Sequence, residues 1–276
     1  MTAEEIDAAL KVAQQAAIAA SAHAQSSHAS ERAVLEEAAH DIKLHLDVEC
    51  QEIIESCIRE AFPDHQILGE EDDSPHINLE ETGTPVWIID PIDGTVNFKH
   101  GHPFWACSIA LFHNGQAVLG VVEAPAMQLS LSASLNQPAR CNGSEISVSS
   151  TSTLDQAMIH TGMDANVRPG VPALAVLSTL ATTCRKVRVV GSAALDLCYV
   201  ALGRADGYIE TNIYLWDVAA AGFIVERAGG KTNRIWFDPN TYKVHYLAGA
   251  PNLYEDLKDV VLQTLDLPTT QKSDTP

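Results

Sequence analysis

A chain of 276 residues with 46% hydrophobic content is long enough to bury a sizeable core, as one large domain or two fused subdomains. Its 36 acidic against 17 basic side chains give a formal net charge of −19, which argues against nonspecific nucleic-acid binding, since that requires a basic surface. No apolar run reaches the roughly 18 residues of a membrane span, and the polar start MTAEEIDAAL is unlike a signal peptide, so the expectation is a cytoplasmic protein with no membrane partner. Cysteines 50, 57, 107, 141, 184 and 198 form no C-x-x-C pair and read as free thiols.

Residues 2–29 predict a long alanine-rich helix, with Thr2 and Glu5 as a capping box and Ile6, Leu10, Ala13, Ala17 and Ala20 as its apolar stripe. His23, His28 and His40 lack metal-ligand spacing and read as surface residues. A second helix is expected over 47–62, with Asp47 as a cap and Val48, Ile53, Ile54, Cys57, Ile58 and Phe62 facing inward. Pro63-Asp64-His65 ends it, and Gln66 to Gly69 leads into the acidic run Glu70 to Asp73. Residues 74–85 read as a surface connection.

Val86 to Ile89 is the signature of a buried strand, and Asp90 follows at once. Pro91 has no N–H and is expected to end a central strand, and Asp93, Gly94 and Thr95 to form a turn. His100 and His102 look like a possible metal pair. Residues 105–112, 117–123 and 128–132 predict antiparallel strands, with a turn at Cys141-Asn142-Gly143. From about Ser150, strands AMIHTG, KVRVVG and DGYIET alternate with helices near 171–184 and 192–203 and another starting near Asp217, which argues an α/β layer. KTNRIWF and KVHYLAGA are late strands, and 253–262 is a closing helix. The expected division is 1–150, 151–268 and a disordered tail, 269–276.

Asp90 and Asp93 leave the end of a buried strand together. An unpaired buried carboxylate is costly, so the pair needs a cation. Hard ions such as Mg2+ take all-oxygen ligands, and pairs of them about 3.5–4 Å apart serve phosphoester hydrolysis. Read alone, Glu70 to Asp73 could be a solvated turn, Asp217 a helix cap, and Gly191-Ser192-Ala193 a strand-to-helix turn capped by Ser192.

Trp87, Asp90, Pro91, Ile92, Asp93, Gly94, Thr95, Asn97 and Phe98 match a W-x-x-D-P-[IL]-D-G-T-x-N-F string. With Gly69-Glu70-Glu71 upstream and Trp216, Asp217, Ala219, Ala220 and Ala221 downstream, the chain resembles the inositol monophosphatase family from roughly Asp41 to Leu262. The resemblance implies a layered α/β/α/β/α sandwich, a homodimer, and Mg2+-dependent hydrolysis of a small phosphorylated substrate by a metal-activated water. It makes Glu70, Asp90 and the Ile92 carbonyl ligands of a first metal, and Asp90, Asp93 and Asp217 ligands of a second, with a third, weaker ion in some members. Glu70 and Thr95 would orient or deprotonate the attacking water, with Asp93 part of the catalytic set. Asp93, Gly94, Thr95, Gly191, Ser192, Ala193, Glu210 and Asp217 would meet the substrate. The segment EAAHDIKLHLD departs from the family's pattern: Asp41 and Asp47 match, Lys43 and Leu44 replace a Val-Thr pair, and Glu36 or Glu37 stands near the usual lysine.

Inositol monophosphate or a similar polyol phosphate is the leading substrate reading. Histidinol phosphate, fructose 1,6-bisphosphate and 3′,5′-bisphosphate nucleotides remain open, because Glu210 can accept from a hydroxyl or an amine. A reading of another class is a binding protein that retains the fold without catalysis.

Overall fold

The computed structural model describes residues 1–27, 34–37, 42–72, 77–79, 83–163 and 172–267. Asp41, Asp73, His28, His40, the side chains of Glu36, Glu37 and Lys43, and the tail 269–276 lie outside the described residues.

Helix α1 (Ala3–Ser26) starts at the expected capping box: Thr2 accepts from the Glu5 N–H, and Glu5 accepts from the Thr2 N–H. Its stripe Ile6, Leu10, Ala13, Ala17 and Ala20 is buried throughout. Strands β1 (Val34–Glu37) and β2 (Ile42–Leu44) form a small antiparallel ladder ahead of helix α2 (His45–Ala61). Asp47 is not the cap residue of α2. It lies one turn in and reaches back to accept from the Leu44 N–H at 2.7 Å, satisfying one of the donors that every helix start exposes.

The larger sheet contains β3 (Gln66–Gly69), β4 (Val86–Asp93), β5 (Ala106–His113), β6 (Gln116–Ala124), β7 (Leu129–Ser134), β8 (Arg140–Cys141) and β9 (Ser144–Glu145), in that spatial order. Only the β3–β4 pair is parallel. Every residue of β4 is buried, because both faces of the sheet are covered. Trp87 and Ile89 pack with α1 and α2, whereas Ile88, between them, points to the opposite face. Pro91 does not end the strand. The ladder to β5 shifts register between Asp90 and Asp93, then resumes with Asp93 opposite Ala106. A bulge inserts an unpaired residue, so proline's missing N–H costs nothing there.

The smaller sheet has the order β11 (Lys186–Arg188), β10 (Met158–Thr161), β12 (Gly207–Tyr214), β14 (Lys243–Gly249), β13 (Lys231–Asp238). β10 runs parallel to β11 and β12, and the remaining pairs are antiparallel. Helices α5 (Ala193–Ala201) and α6 (Leu215–Arg227) lie between the two sheets. Their apolar residues share one buried cluster with Ile88, Ala110 and Val122 of the first sheet and Tyr208, Val244 and Tyr246 of the second. Helices α4 (Pro172–Thr183) and α7 (Tyr254–Thr264) cover the outer face, where Val176, Leu180, Leu257 and Val261 meet Ile159, Ile209 and Leu247.

The layers are therefore α1/α2, seven strands, α5/α6, five strands and α4/α7, the α/β/α/β/α sandwich expected. Strand β11 is shorter than KVRVVG suggested, ending at Arg188 before the turn into α5. All six cysteines are free. No described helix is long and apolar enough to cross a membrane.

Candidate active site

The bulge in β4 aims two carboxylates into one cleft. Asp90 is fully buried, and its Oδ1 accepts from the Ile92 N–H at 3.0 Å. Three residues later the chain turns at Gly94, whose φ of +93° lies in the left-handed region that only glycine enters freely. Gly94 caps the short helix α3 (Thr95–Lys99), and the Thr95 hydroxyl donates to the Ile92 carbonyl at 3.0 Å.

Asp93 is held from across the molecule. It accepts from Ser192 Oγ at 2.5 Å, the Ala194 N–H at 2.7 Å and the Ala193 N–H at 3.3 Å, all at the start of α5. Ser192 also caps α5 by accepting from the Leu195 N–H. The Asn97 amide binds this turn to the motif, donating to the carbonyls of Phe104, Val190 and Gly191. Asp217 comes from a third element. Like Asp47, it lies in the first turn of its helix and is not the cap: it accepts from the Tyr214 N–H at 2.9 Å.

Carboxylate oxygens of Asp90, Asp93 and Asp217 lie within 4.8 Å of one another. Glu70 stands outside that trio but lines the same cleft, beyond the end of β3. Its loop is bracketed by side chains. Asp72 accepts from the Gly69 N–H at 2.8 Å and from Gln51 Nε2 at 2.8 Å, and Gln51 Oε1 accepts from the Glu71 N–H at 3.1 Å. Both amides flanking Glu70 are thus pinned to α2. Replacing Gln51, which is nearly buried, with Leu is expected to lower stability by roughly 1–3 kcal/mol, measured by urea unfolding, by removing the acceptor of one amide and the donor to Asp72.

The cleft has a volume of about 360 Å³. The residues assigned from the sequence to metal, catalysis or substrate line it: Glu70, Asp90, Ile92, Asp93, Gly94, Thr95, Gly191, Ser192, Ala193, Glu210 and Asp217. Residues 99–103 do not, so His100 and His102 stand apart from the carboxylates. Sequence reasoning passed over Gly162 and Asn212, which also line it. Asn212 sits at a register shift in β12 with φ of +64°, a conformation that asparagine tolerates better than most residues; an Asn two positions after Glu210 near a strand's end was the available signal. Gly162 directly follows β10, and its backbone lies against the Glu210 carboxyl, a close approach that a glycine permits.

Charge governs the site. Burial, then the Asp217 and Glu71 carboxylates, push Glu70 well above the usual range. Burial, then Glu70, Asp93 and Asp217, do the same to Asp90. Burial raises Asp93 to about 7, against the lowering effect of its hydrogen bonds from Ser192 and the α5 backbone. Among the described residues, no Lys, Arg or His side chain lines the cleft. Among the described residues, none donates a hydrogen bond to the fully buried Asp90 Oδ2. A cluster of acids with an orphaned buried oxygen and no protein cation is suited to a bound cation, and an all-oxygen donor set favours a hard one.

A five-layer α/β fold whose cleft gathers buried carboxylates at a strand end defines a layered α/β protein with a candidate metal centre. The chain belongs to the inositol monophosphatase family, whose model matches residues 2–266. It is 34% identical over 227 residues to a fructose-1,6-bisphosphatase/inositol-1-monophosphatase of Thermotoga maritima, covering 82% of this chain and 84% of that one. It is 37% identical over 194 residues to inositol monophosphatase 1 of Xenopus laevis, covering 69% and 68%. The crystal structure of extragenic suppressor protein suhB from Bartonella henselae superposes with a TM-score of 0.82 at 31% identity, covering 92% of this chain and 98% of that one. The members of this family are phosphatases, and their substrates are small phosphorylated molecules.

Proposed function

We propose that the chain is a Mg2+-dependent phosphate monoester hydrolase acting on inositol monophosphate or a similar small polyol phosphate, as a cytoplasmic homodimer. The convergence of Asp90, Asp93 and Asp217 within 4.8 Å, in a cleft with no protein cation among the described residues, carries the reading. Glu70, Asp90 and the Ile92 carbonyl would hold one ion, Asp90, Asp93 and Asp217 a second, and a third, weaker ion would complete the set. Bound there, the ions would lower the pKa of the attacking water and neutralise charge on the transferring phosphoryl group.

The chain's own groups divide the remaining work. Thr95 Oγ1 spends its proton on the Ile92 carbonyl, so its lone pairs can accept from the attacking water and orient it. Glu70, pushed above the usual carboxylate range by burial and its acidic neighbours, lines the cleft where it would take up that water's proton. Water oxygen would bond to phosphorus as the bond to the alcohol oxygen breaks, and the leaving alkoxide would take its proton from solvent water. Asp93 ties the carboxylate set to the 191–193 turn, which lines the cleft and would face the alcohol. Glu210 would accept from a hydroxyl of that alcohol.

Phosphate release from inositol 1-phosphate, histidinol phosphate, fructose 1,6-bisphosphate and 3′-phosphoadenosine 5′-phosphate, each with Mg2+ and with EDTA, tests the reading. A Mg2+-dependent preference for inositol 1-phosphate is expected. Preference for the bisphosphorylated sugar, as the Thermotoga maritima relative's name suggests, would reassign the substrate. No turnover together with no Mg2+ binding by calorimetry would leave a binding protein.

A further inference from the structure

Strand β12 places Tyr208 and Glu210 on the same face, two residues apart, because side chains alternate along a strand. Tyr208 is fully buried in the core between the sheets, and Glu210 is 7% exposed at the cleft. A buried phenol needs a partner for its hydroxyl, and Tyr208 finds one by donating to Glu210 Oε2 at 2.7 Å. On the other side the carboxyl lies against the backbone of Gly162. A Cβ there would overlap Oε1, Oε2 and Cδ at once, so the flat side of the carboxyl rests on the glycine. Phenol and glycine form a slot that holds the carboxyl in one orientation. Oε2 is engaged within the core, and among the described residues Oε1 has no hydrogen-bond partner.

We propose that Tyr208 is a positioning residue for substrate selection: it fixes Glu210 so that a single oxygen, Oε1, faces the cleft and favours a leaving alcohol with one hydroxyl or ammonium donor at that point. This rests on the phosphatase reading above. Without the phenol, Glu210 keeps its place in the sequence but gains a free oxygen and the freedom to turn, and its discrimination falls. A hydroxyl-bearing substrate loses by this, whereas an aryl phosphate with no donor has nothing to lose.

Tyr208→Phe tests the proposal, since it removes one oxygen and leaves the buried ring in place. The quantity to measure is the ratio of kcat/KM for inositol 1-phosphate to that for p-nitrophenyl phosphate, in the full chain with Mg2+. The ratio is expected to fall about 3- to 10-fold, the size of one hydrogen bond, mainly through a higher KM for inositol 1-phosphate. In a Glu210→Ala background the same change is expected to leave the ratio where Glu210→Ala put it. An unchanged ratio in Tyr208→Phe, equal losses on both substrates, or a further fall in the Glu210→Ala background would overturn the role of Tyr208. Failure of the unaltered chain to hydrolyse either ester would instead count against the phosphatase reading.

Discussion

Asp93→Asn is expected to lower kcat by at least about a thousandfold while the protein stays folded, measured as phosphate release alongside circular dichroism and the melting temperature. The substitution keeps the shape of the side chain and removes its charge from the trio with Asp90 and Asp217. Asn can still accept from Ser192 Oγ and the Ala194 N–H through its one oxygen. Its NH2 group would face the Ala193 N–H, a contact already long at 3.3 Å, so the loss in packing is small. Relief of a buried negative charge offsets that loss. The expected signature is an inactive protein that melts within a few degrees of its parent. Near-normal turnover would remove Asp93 from the catalytic set.

Without metal, the parent chain is expected to melt progressively lower as pH rises from about 4 to about 8 in EDTA, and added Mg2+ is expected to reverse most of that fall. A carboxyl whose folded pKa lies above its unfolded value binds more protons when folded. Its contribution is therefore fully present below the unfolded pKa and is lost as pH rises through the folded one. For Asp93, raised by burial from 3.8 to about 7, the loss is on the order of 4 kcal/mol. Glu70 and Asp90 shift in the same direction, so their losses have the same sign. Asp90→Asn should accordingly raise the melting temperature in EDTA at pH 8 and abolish most of the rise on adding Mg2+. A parent chain equally stable at pH 5 and pH 8 in EDTA, and unmoved by Mg2+, would contradict a cation-requiring cluster.

Several elements were legible because their signals are local. The Thr2–Glu5 capping box and the alanine stripe of α1 depend only on residues within a few turns of one another. The apolar run Val86 to Ile89 announces a strand buried on both faces. Pro91 misled for an equally physical reason: a proline excludes a regular central strand, but a bulge removes the need for its N–H, and only the partner strand β5 shows where the register slips. Asp47, and Asp217 read without the family motif, suggest cap residues, but each sits in the first turn and bonds backward to the residue before its helix. A carboxylate can satisfy a helix's first amides from either place, and the choice follows from how the preceding chain enters the helix.

By itself, the sequence determined the elements, the family, and the carboxylates that converge, since strand and helix periodicity and a contiguous motif are properties of short segments. Tertiary structure alone decided how those acids are partnered. Asp93 is tied to the start of α5 about a hundred residues away. The Glu70 loop is clamped by Gln51 and Asp72. Glu210 is seated between Tyr208 and Gly162. These contacts exist because two sheets close on the shared layer of α5 and α6, and nothing in the local spacing of residues records which strand ends that closure brings together.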